Sequence, residues 1–85
     1  MPNQSQLEDT CRLMGCEYAG TVRFIWQALE WLGRRSGPIT YQEEGGFWRF
    51  SSDDWTAEGS TLEGVLAAAV RACHAARLAA LEEHA

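Results

Sequence analysis

Residues 39–52, ITYQEEGGFWRFSS, decide the fold, because they predict a β-hairpin in an otherwise helical chain. Apolar and polar side chains alternate on both sides of Gly45-Gly46, a turn dipeptide that accepts positive φ. The alternation gives the hairpin one apolar face, made of Ile39, Tyr41, Trp48 and Phe50. The opposite face is predicted to meet water and carries Thr40, Gln42, Glu44, Phe47, Arg49 and Ser51. On that face, Glu44 and Arg49 lie close enough diagonally to form an ion pair.

A long helix is predicted before the hairpin, over about residues 6–35. Ser5 and Glu8 have the spacing of a capping box at its start, and Gly37-Pro38 marks its end. Between these signals, apolar residues recur every three or four positions, as in an amphipathic helix. They are Leu7, Cys11, Met14, Tyr18, Val22, Ile25, Leu29 and Leu32.

Two glycines, Gly15 and Gly20, lie inside this helical pattern. Each costs about 1 kcal/mol relative to alanine in a helix interior. A continuous helix is the prediction, and a bend or break between the glycines is the alternative. At 1.5 Å per residue the continuous helix would be about 45 Å long, longer than a domain of this size is wide.

A second helix is predicted over about residues 61–83, where Ser60 and Glu63 repeat the capping-box spacing. Its core face has mostly small side chains: Leu62, Val65, Leu66, Ala69, Ala72, Cys73, Ala76 and Ala80. Residues 53–60 are predicted to form a loop, with a short third strand around Trp55 as the alternative. The predicted fold is a single α+β domain over residues 1–85, in the order αββα. Its helices pack on each other and on a two-stranded antiparallel hairpin.

Composition and charge limit the classes of function. The chain is 46% hydrophobic with four tryptophans, enough apolar surface for one core. Twelve acidic residues against seven arginines give a net charge of −5, which opposes direct binding to nucleic acid or anionic lipid. The N-terminus lacks a secretory signal pattern, and no stretch approaches about eighteen consecutive apolar residues. These features predict a cytoplasmic protein with reduced cysteines that binds basic or neutral proteins and no membrane.

Few residues are candidates for catalysis or metal binding. The potential zinc ligands are Cys11, Cys16, Cys73 and His74. On continuous helices Cys11 and Cys16 differ by about 140°, and Cys73 and His74 by about 100°, so neither pair converges. Motifs of activated nucleophiles and glycine-rich phosphate loops are missing from the sequence. We therefore predict a protein that is not an enzyme and has no metal or cofactor.

Acidic and aromatic residues are interleaved in residues 41–63, which contain six carboxylates against Arg49 alone. Such a segment suits a surface that meets a basic partner. The predicted partner-binding acids are Glu43, Glu44, Asp53, Asp54 and Glu58. The alternative is a hairpin with one core face and one solvated face.

A second apolar stripe on the first helix is formed by Leu13, Phe24 and Trp31. On a continuous helix these lie within about 20° of one another and more than about 80° from the main stripe. Either the hairpin or another chain must cover them. They are the candidate residues for a homodimer or partner interface.

Residues 55–70, WTAEGSTLEGVLAAAV, resemble the strand-to-helix corner of HicB-type antitoxins, where a Gly-polar-Thr-Leu-Glu run opens a helix. That family places strands before this helix, where a long helix is predicted to come first here. In size, acidity and compactness the whole chain resembles phage-encoded inhibitors of bacterial defence systems, including anti-CRISPR proteins. The second resemblance implies a non-catalytic inhibitor in a bacterial host that occupies a basic surface of a defence complex. The alternatives are a HicB-like antitoxin fragment that neutralises a toxin and a small enzyme or metal-binding protein.

Overall fold

The computed structural model describes residues 4–83, which form three helices and a three-stranded antiparallel sheet. The helices are α1 (Gln4–Met14), α2 (Thr21–Arg35) and α3 (Leu62–Glu83), and the strands are β1 (Thr40–Glu44), β2 (Phe47–Ser51) and β3 (Thr56–Gly59). The α+β class is confirmed, whereas the order is ααβββα instead of αββα. The predicted domain over residues 1–85 includes residues 1–3 and 84–85, which lie outside the described range.

The prediction of a continuous helix over residues 6–35 is wrong, and the alternative of a break between Gly15 and Gly20 is confirmed, because α1 ends at Met14 and α2 begins at Thr21. Gly15 has φ +80°, and its N–H donates to the carbonyl of Arg12 at 3.1 Å. The N–H of Cys16 donates to the carbonyl of Cys11 at 2.9 Å. These two bonds are those of a Schellman motif, which ends α1 and redirects the chain. The longest dimension of the domain is consequently 38 Å.

The break changes which face of α2 is buried. Residues 15–20 are not helical. The helical spacing that starts at Leu7 therefore does not predict which residues of α2 face the core. The buried residues of α2 are Phe24, Ala28, Trp31 and Leu32. Val22 and Leu29, predicted to be core, are 72% and 39% exposed. Only Leu32 of the predicted α2 core positions is fully buried, and Ile25 is half-buried.

The hairpin prediction is confirmed, with Gly45 and Gly46 as a two-residue turn at φ 60° and 83°. Positive φ at both positions is typical of a type I′ turn, whose twist matches that of the strands. The predicted apolar face also forms, since the rings of Tyr41, Trp48 and Phe50 lie 5.7–6.3 Å apart. Phe50 is buried, Trp48 is half-buried and Tyr41 is exposed.

The sheet has a third strand, Thr56–Gly59, where a loop over residues 53–60 was predicted with a short strand around Trp55 as the alternative. β3 pairs antiparallel with β2, with Ala57 opposite Phe50 and Glu58 opposite Arg49. Arg49 therefore pairs with Glu58, at 2.9 Å, and not with Glu44 as predicted. The strand order β1-β2-β3 leaves β1 at one edge.

Helix α3 is the centre of the core and packs on α1, α2, β2 and β3. Its buried side chains are Val65, Leu66, Ala67, Ala69, Val70 and Cys73. Strand β3 meets the first turn of α3 closely, because a Cβ added to Gly59 would lie 3.2 Å from the nitrogen of Val65. By length and composition alone, Leu62–Glu82 could cross a membrane. A buried core helix meets the same criteria, and the first half of α3 is such a helix.

Candidate functional site

The five predicted partner-binding acids do not form one patch. Glu43 and Glu44 lie beside the Gly45-Gly46 turn, whereas Asp53 and Asp54 lie in the turn between β2 and β3. Antiparallel strands place these turns at opposite ends of the sheet. Since β2 has five residues, the two acidic pairs are about 15–20 Å apart.

Glu58 belongs to neither acidic pair. It lies on β3 and accepts a hydrogen bond from Arg49 Nε at 2.9 Å on the solvent side of the sheet. Both side chains are about half exposed, 52% for Arg49 and 43% for Glu58. Glu58 thus neutralises the single arginine of the sheet, and its charge does not add to that of Glu43 and Glu44.

Strand β1 presents the most open surface of the sheet, and we call this surface the β1 edge. β1 pairs with β2 on one side and has no strand on its other side within residues 4–83. All five of its residues are exposed, including Tyr41 at 67%. Its backbone N–H and C=O groups on the outer side are available to an added strand. The β1 edge is therefore both acidic and able to form hydrogen bonds.

The two glutamates of the β1 edge are held differently. The carboxylate of Glu43 accepts a hydrogen bond from the N–H of Gly46 at 2.8 Å, which orders it against the turn. Glu44 makes no ion pair among the described residues, and it lies opposite Phe47, which is 49% exposed. Glu43 shares a face with Tyr41 and Trp48, because alternate residues of a strand point the same way. Each face of the β1 edge thus carries one carboxylate beside an exposed aromatic ring.

The predicted dimer stripe of Leu13, Phe24 and Trp31 lies in or against the core of the single chain. Phe24 is 0% and Trp31 8% exposed, and Leu13 packs half-buried against the same cluster. Helix α3 packs against α2 and buries this part of the stripe. The prediction that the hairpin or a second chain covers the stripe is therefore wrong. Arg35 lies 4.4 Å from the centre of the Trp31 ring and shields its outer side.

The exposed apolar face of α2 is a different one, which we call the α2 stripe: Val22, Trp26, Leu29 and Gly33. Trp26 is 69% exposed and was not singled out from the sequence. Its spacing from Val22 and Leu29, four and three residues, is a recognisable signal once α2 is known to begin after Gly20.

The three cysteines are free thiols within the described range. The Schellman turn brings the Cys16 thiol close to the Cys11 thiol. The predicted 140° divergence is wrong, because it assumed a continuous helix. Cys73 is separate and lies 3.4 Å from Ser36 Oγ. Residues 4–83 contain no group of three or more His, Cys, Asp or Glu side chains arranged to hold a metal ion.

The pKa of the Cys11 thiol is raised by its surroundings. Burial, then the neighbouring Cys16 and Glu8, raise the pKa of Cys11 from its ordinary 9.0 to about 11. The unfolded chain therefore loses this proton at lower pH than the folded chain. The associated stability is complete below pH 9 and is lost as the pH rises through about 11.

We expect urea unfolding to show a loss on the order of 2–3 kcal/mol between about pH 8 and pH 11 that depends on Cys11. The Cys11→Ala variant should lose less stability over the same range, because it lacks the thiol whose pKa is raised. Parallel pH dependence in the two proteins would contradict the burial of this thiol.

An open groove of about 640 Å³ lies between the end of α2 and the second half of α3. Its charged residues are Arg35, Asp54 and Arg77, and alanines and Leu81 line the rest. Arg77 donates to the carbonyl of Arg35 at 3.4 Å, so it is engaged in joining the helices. The groove holds no serine, cysteine or histidine beside a base among the described residues.

Comparison of the chain with protein-family models, with curated protein sequences and with solved structures finds no match.

Proposed function

We propose that this chain is a non-catalytic protein-binding domain that captures a basic, extended segment of a partner protein along the β1 edge. The observation that carries the proposal is an edge strand, β1, whose outer side has no strand beside it within residues 4–83 and whose five residues are all exposed and include two glutamates. An added strand forms backbone hydrogen bonds with such an edge, and side chains on both faces give specificity.

The charge of the β1 edge selects a basic segment. Glu43 lies on the face of Tyr41, and Glu44 on the face of Gln42. Consecutive basic residues of an added strand point to opposite faces, so each would meet one of these carboxylates. Their aliphatic stems can also cover the rings of Tyr41 and Phe47, which are 67% and 49% exposed.

The same charge opposes pairing of β1 with a second copy of itself. A full-length antiparallel pair of β1 strands would place Glu43 of one copy opposite Tyr41 of the other and Glu44 opposite Thr40, so neither carboxylate would face a basic residue. Charged residues are also a common protection of exposed edges. The β1 edge therefore favours a foreign basic strand.

The more specific form of the proposal is a phage or mobile-element inhibitor of a bacterial defence complex, acting in the host cytoplasm. A nucleic-acid-binding surface of such a complex is basic. A chain with net charge −5 and an exposed acidic edge has the charge to occupy it. The resemblance of the chain to anti-CRISPR proteins in size and acidity supports the same form.

A HicB-like antitoxin that neutralises a toxin is the second candidate. The observation that favours it is the course of residues 55–70, which form β3 and then the start of α3 directly after two further strands. Strands before this helix are what the resemblance implies. Both candidates are protein-binding modules, and the identity of the target separates them.

Binding of a defined peptide tests the proposal. The probe is a peptide of about eight residues in which two consecutive arginines are flanked by valines, matched to an edge strand of usual length. We expect binding to perturb the NMR signals of residues 40–44 and to weaken as salt is added. The Glu43→Arg/Glu44→Arg variant should bind at least about tenfold more weakly while its far-UV circular dichroism stays that of wild type, because both side chains are exposed.

The control is Asp53→Arg/Asp54→Arg, which makes the same charge change at the opposite end of the sheet. It should reduce affinity by less than about threefold, through long-range attraction alone. Equal losses in the two variants would contradict a site at the β1 edge. Capture from bacterial lysate with the same pair of variants then identifies the target that depends on Glu43 and Glu44.

A further inference from the structure

The α2 stripe is an exposed apolar face on a helix whose other face is packed in the core. Val22, Trp26 and Leu29 are 72%, 69% and 39% exposed. With Gly33 they lie within an arc of about 60° and follow almost the whole length of α2. Trp26 alone leaves on the order of 150 Å² of aromatic surface in water. Such an anchor at the centre of a stripe is typical of an interface.

We infer that two copies of the chain form a two-fold symmetric dimer in which their α2 stripes pack antiparallel. A two-fold arrangement places Trp26 against Leu29 of the second copy, and Val22 against its Gly33. Gly33 has no side chain, and a Cβ added there would meet nothing within 4 Å, so the helix backbone at this position is open to the Val22 side chain of the second copy. The stripe of one copy is thus complementary in shape to the stripe of the other, because its larger side chains meet the smaller ones.

Charges beside the stripe specify a second copy and the antiparallel direction. Arg23 and Glu30 lie on the same flank of α2, at about 100° and 80° from Val22. In an antiparallel helix pair equal flanks face each other, so Arg23 of each copy meets Glu30 of the other. Arg23 makes no ion pair within residues 4–83, whereas Glu30 pairs with Arg34 on its own helix. In a parallel pair this flank would face Ile25 and Leu32.

The dimer leaves the β1 edge of each copy free. α2 packs on α3 and α1, whereas the sheet packs on α3. α2 carries three arginines and one glutamate. Contact between two α2 helices therefore does not bring the acidic residues 41–63 of the two copies against each other. The dimer would present two β1 edges to a partner.

The size of the interface sets the expected strength of the dimer. α2 has 15 residues and is therefore about 22 Å long. A helix pair of this length buries roughly 1,000 Å² in total, the low end for a specific interface. We expect a dissociation constant in the micromolar range.

Sedimentation equilibrium of the full chain, from about 1 to about 200 µM, tests this inference. We expect wild type to convert from monomer to dimer over this range. Trp26→Glu should raise the dissociation constant at least about tenfold while far-UV circular dichroism stays unchanged, because the side chain is exposed. Phe47→Thr, which removes a half-exposed aromatic from the sheet, is the control and should dimerise like wild type.

A charge swap tests the antiparallel arrangement separately. Arg23→Glu should weaken the dimer several-fold, and adding Glu30→Arg to it should restore most of the loss by inverting both ion pairs. A wild type that is monomeric at about 200 µM overturns the inference. A dimer that is unaffected by Trp26→Glu overturns it as well, and a double variant as weak as Arg23→Glu overturns the antiparallel arrangement.

Discussion

Replacing Phe24 by alanine is expected to lower the free energy of unfolding by about 3–5 kcal/mol. Phe24 is the largest of the fully buried side chains, and it joins α2 to the core built around α3. Removing its ring leaves a cavity among side chains that are themselves fixed, such as Val65, Leu66 and Val70, all 0% exposed. A domain of this size has only about 5–10 kcal/mol in total, so chemical denaturation should show a large shift of the midpoint.

Trp26→Ala is the matched control, since it removes a larger aromatic side chain two positions away on the same helix. Trp26 is 69% exposed, so its loss should change stability by less than about 0.5 kcal/mol when the protein is dilute and monomeric. A continuous helix from Leu7 would instead bury the face of Val22 and Leu29, which is the face that carries Trp26. Similar losses for Phe24→Ala and Trp26→Ala would contradict the faces described for α2.

The helix break explains why the sequence predicted the first part of the chain poorly. Met14, Tyr18 and Val22 continue the spacing of α1 by coincidence, although residues 15–20 are not helical. The sequence shows Gly15 and Gly20 but not their φ angles. Glycines weaken a helix, but their presence alone does not show whether the helix ends there. The Schellman motif at Gly15 depends on a positive φ and on Cys16 returning to Cys11, which apolar periodicity does not report.

The sheet was predictable where a turn and an alternating pattern coincide, and not elsewhere. Gly45-Gly46 between alternating residues fixed both strands of the hairpin and their apolar face. β3 has the sequence TAEG, with little intrinsic strand preference. It forms because β2 offers an unpaired edge and because Gly59 allows close contact with α3, which are tertiary effects.

The candidate site was only partly visible in the sequence for a similar reason. Glu43, Glu44, Asp53 and Asp54 are neighbours along the chain, but the reversal of β2 carries the two pairs to opposite ends of the sheet. Glu58 is neutralised by Arg49 only because β3 exists and has this register. The exposure of Glu43 and Glu44 on an edge strand follows from the hairpin alone. This part of the candidate site could therefore be predicted from the sequence.

Replacing Trp55 by alanine is the second change for which we expect a large loss, about 3–5 kcal/mol. Trp55 is 7% exposed, and its Nε1–H donates to Ser36 Oγ at 2.9 Å. Ser36 follows α2 and also lies 3.4 Å from Cys73 Sγ on α3. The N–H of Ser52 donates to the carbonyl of Trp55 at 2.9 Å, which closes the turn between β2 and β3. Trp55 therefore joins the sheet to both helices.

The hydrogen bond of Trp55 can be separated from its packing by a double-mutant cycle. Trp55→Phe keeps most of the ring but leaves Ser36 Oγ without its indole donor, so together with the lost volume it should cost about 1–2 kcal/mol. Ser36→Ala should cost about 1 kcal/mol, and the double variant should be less destabilised than the sum of the two by about 1 kcal/mol. Strict additivity in urea unfolding would show that the 2.9 Å contact contributes nothing to stability. In that case packing alone would hold Trp55 between α2 and α3. The whole loss of stability in Trp55→Phe would then come from the smaller volume of the phenylalanine side chain.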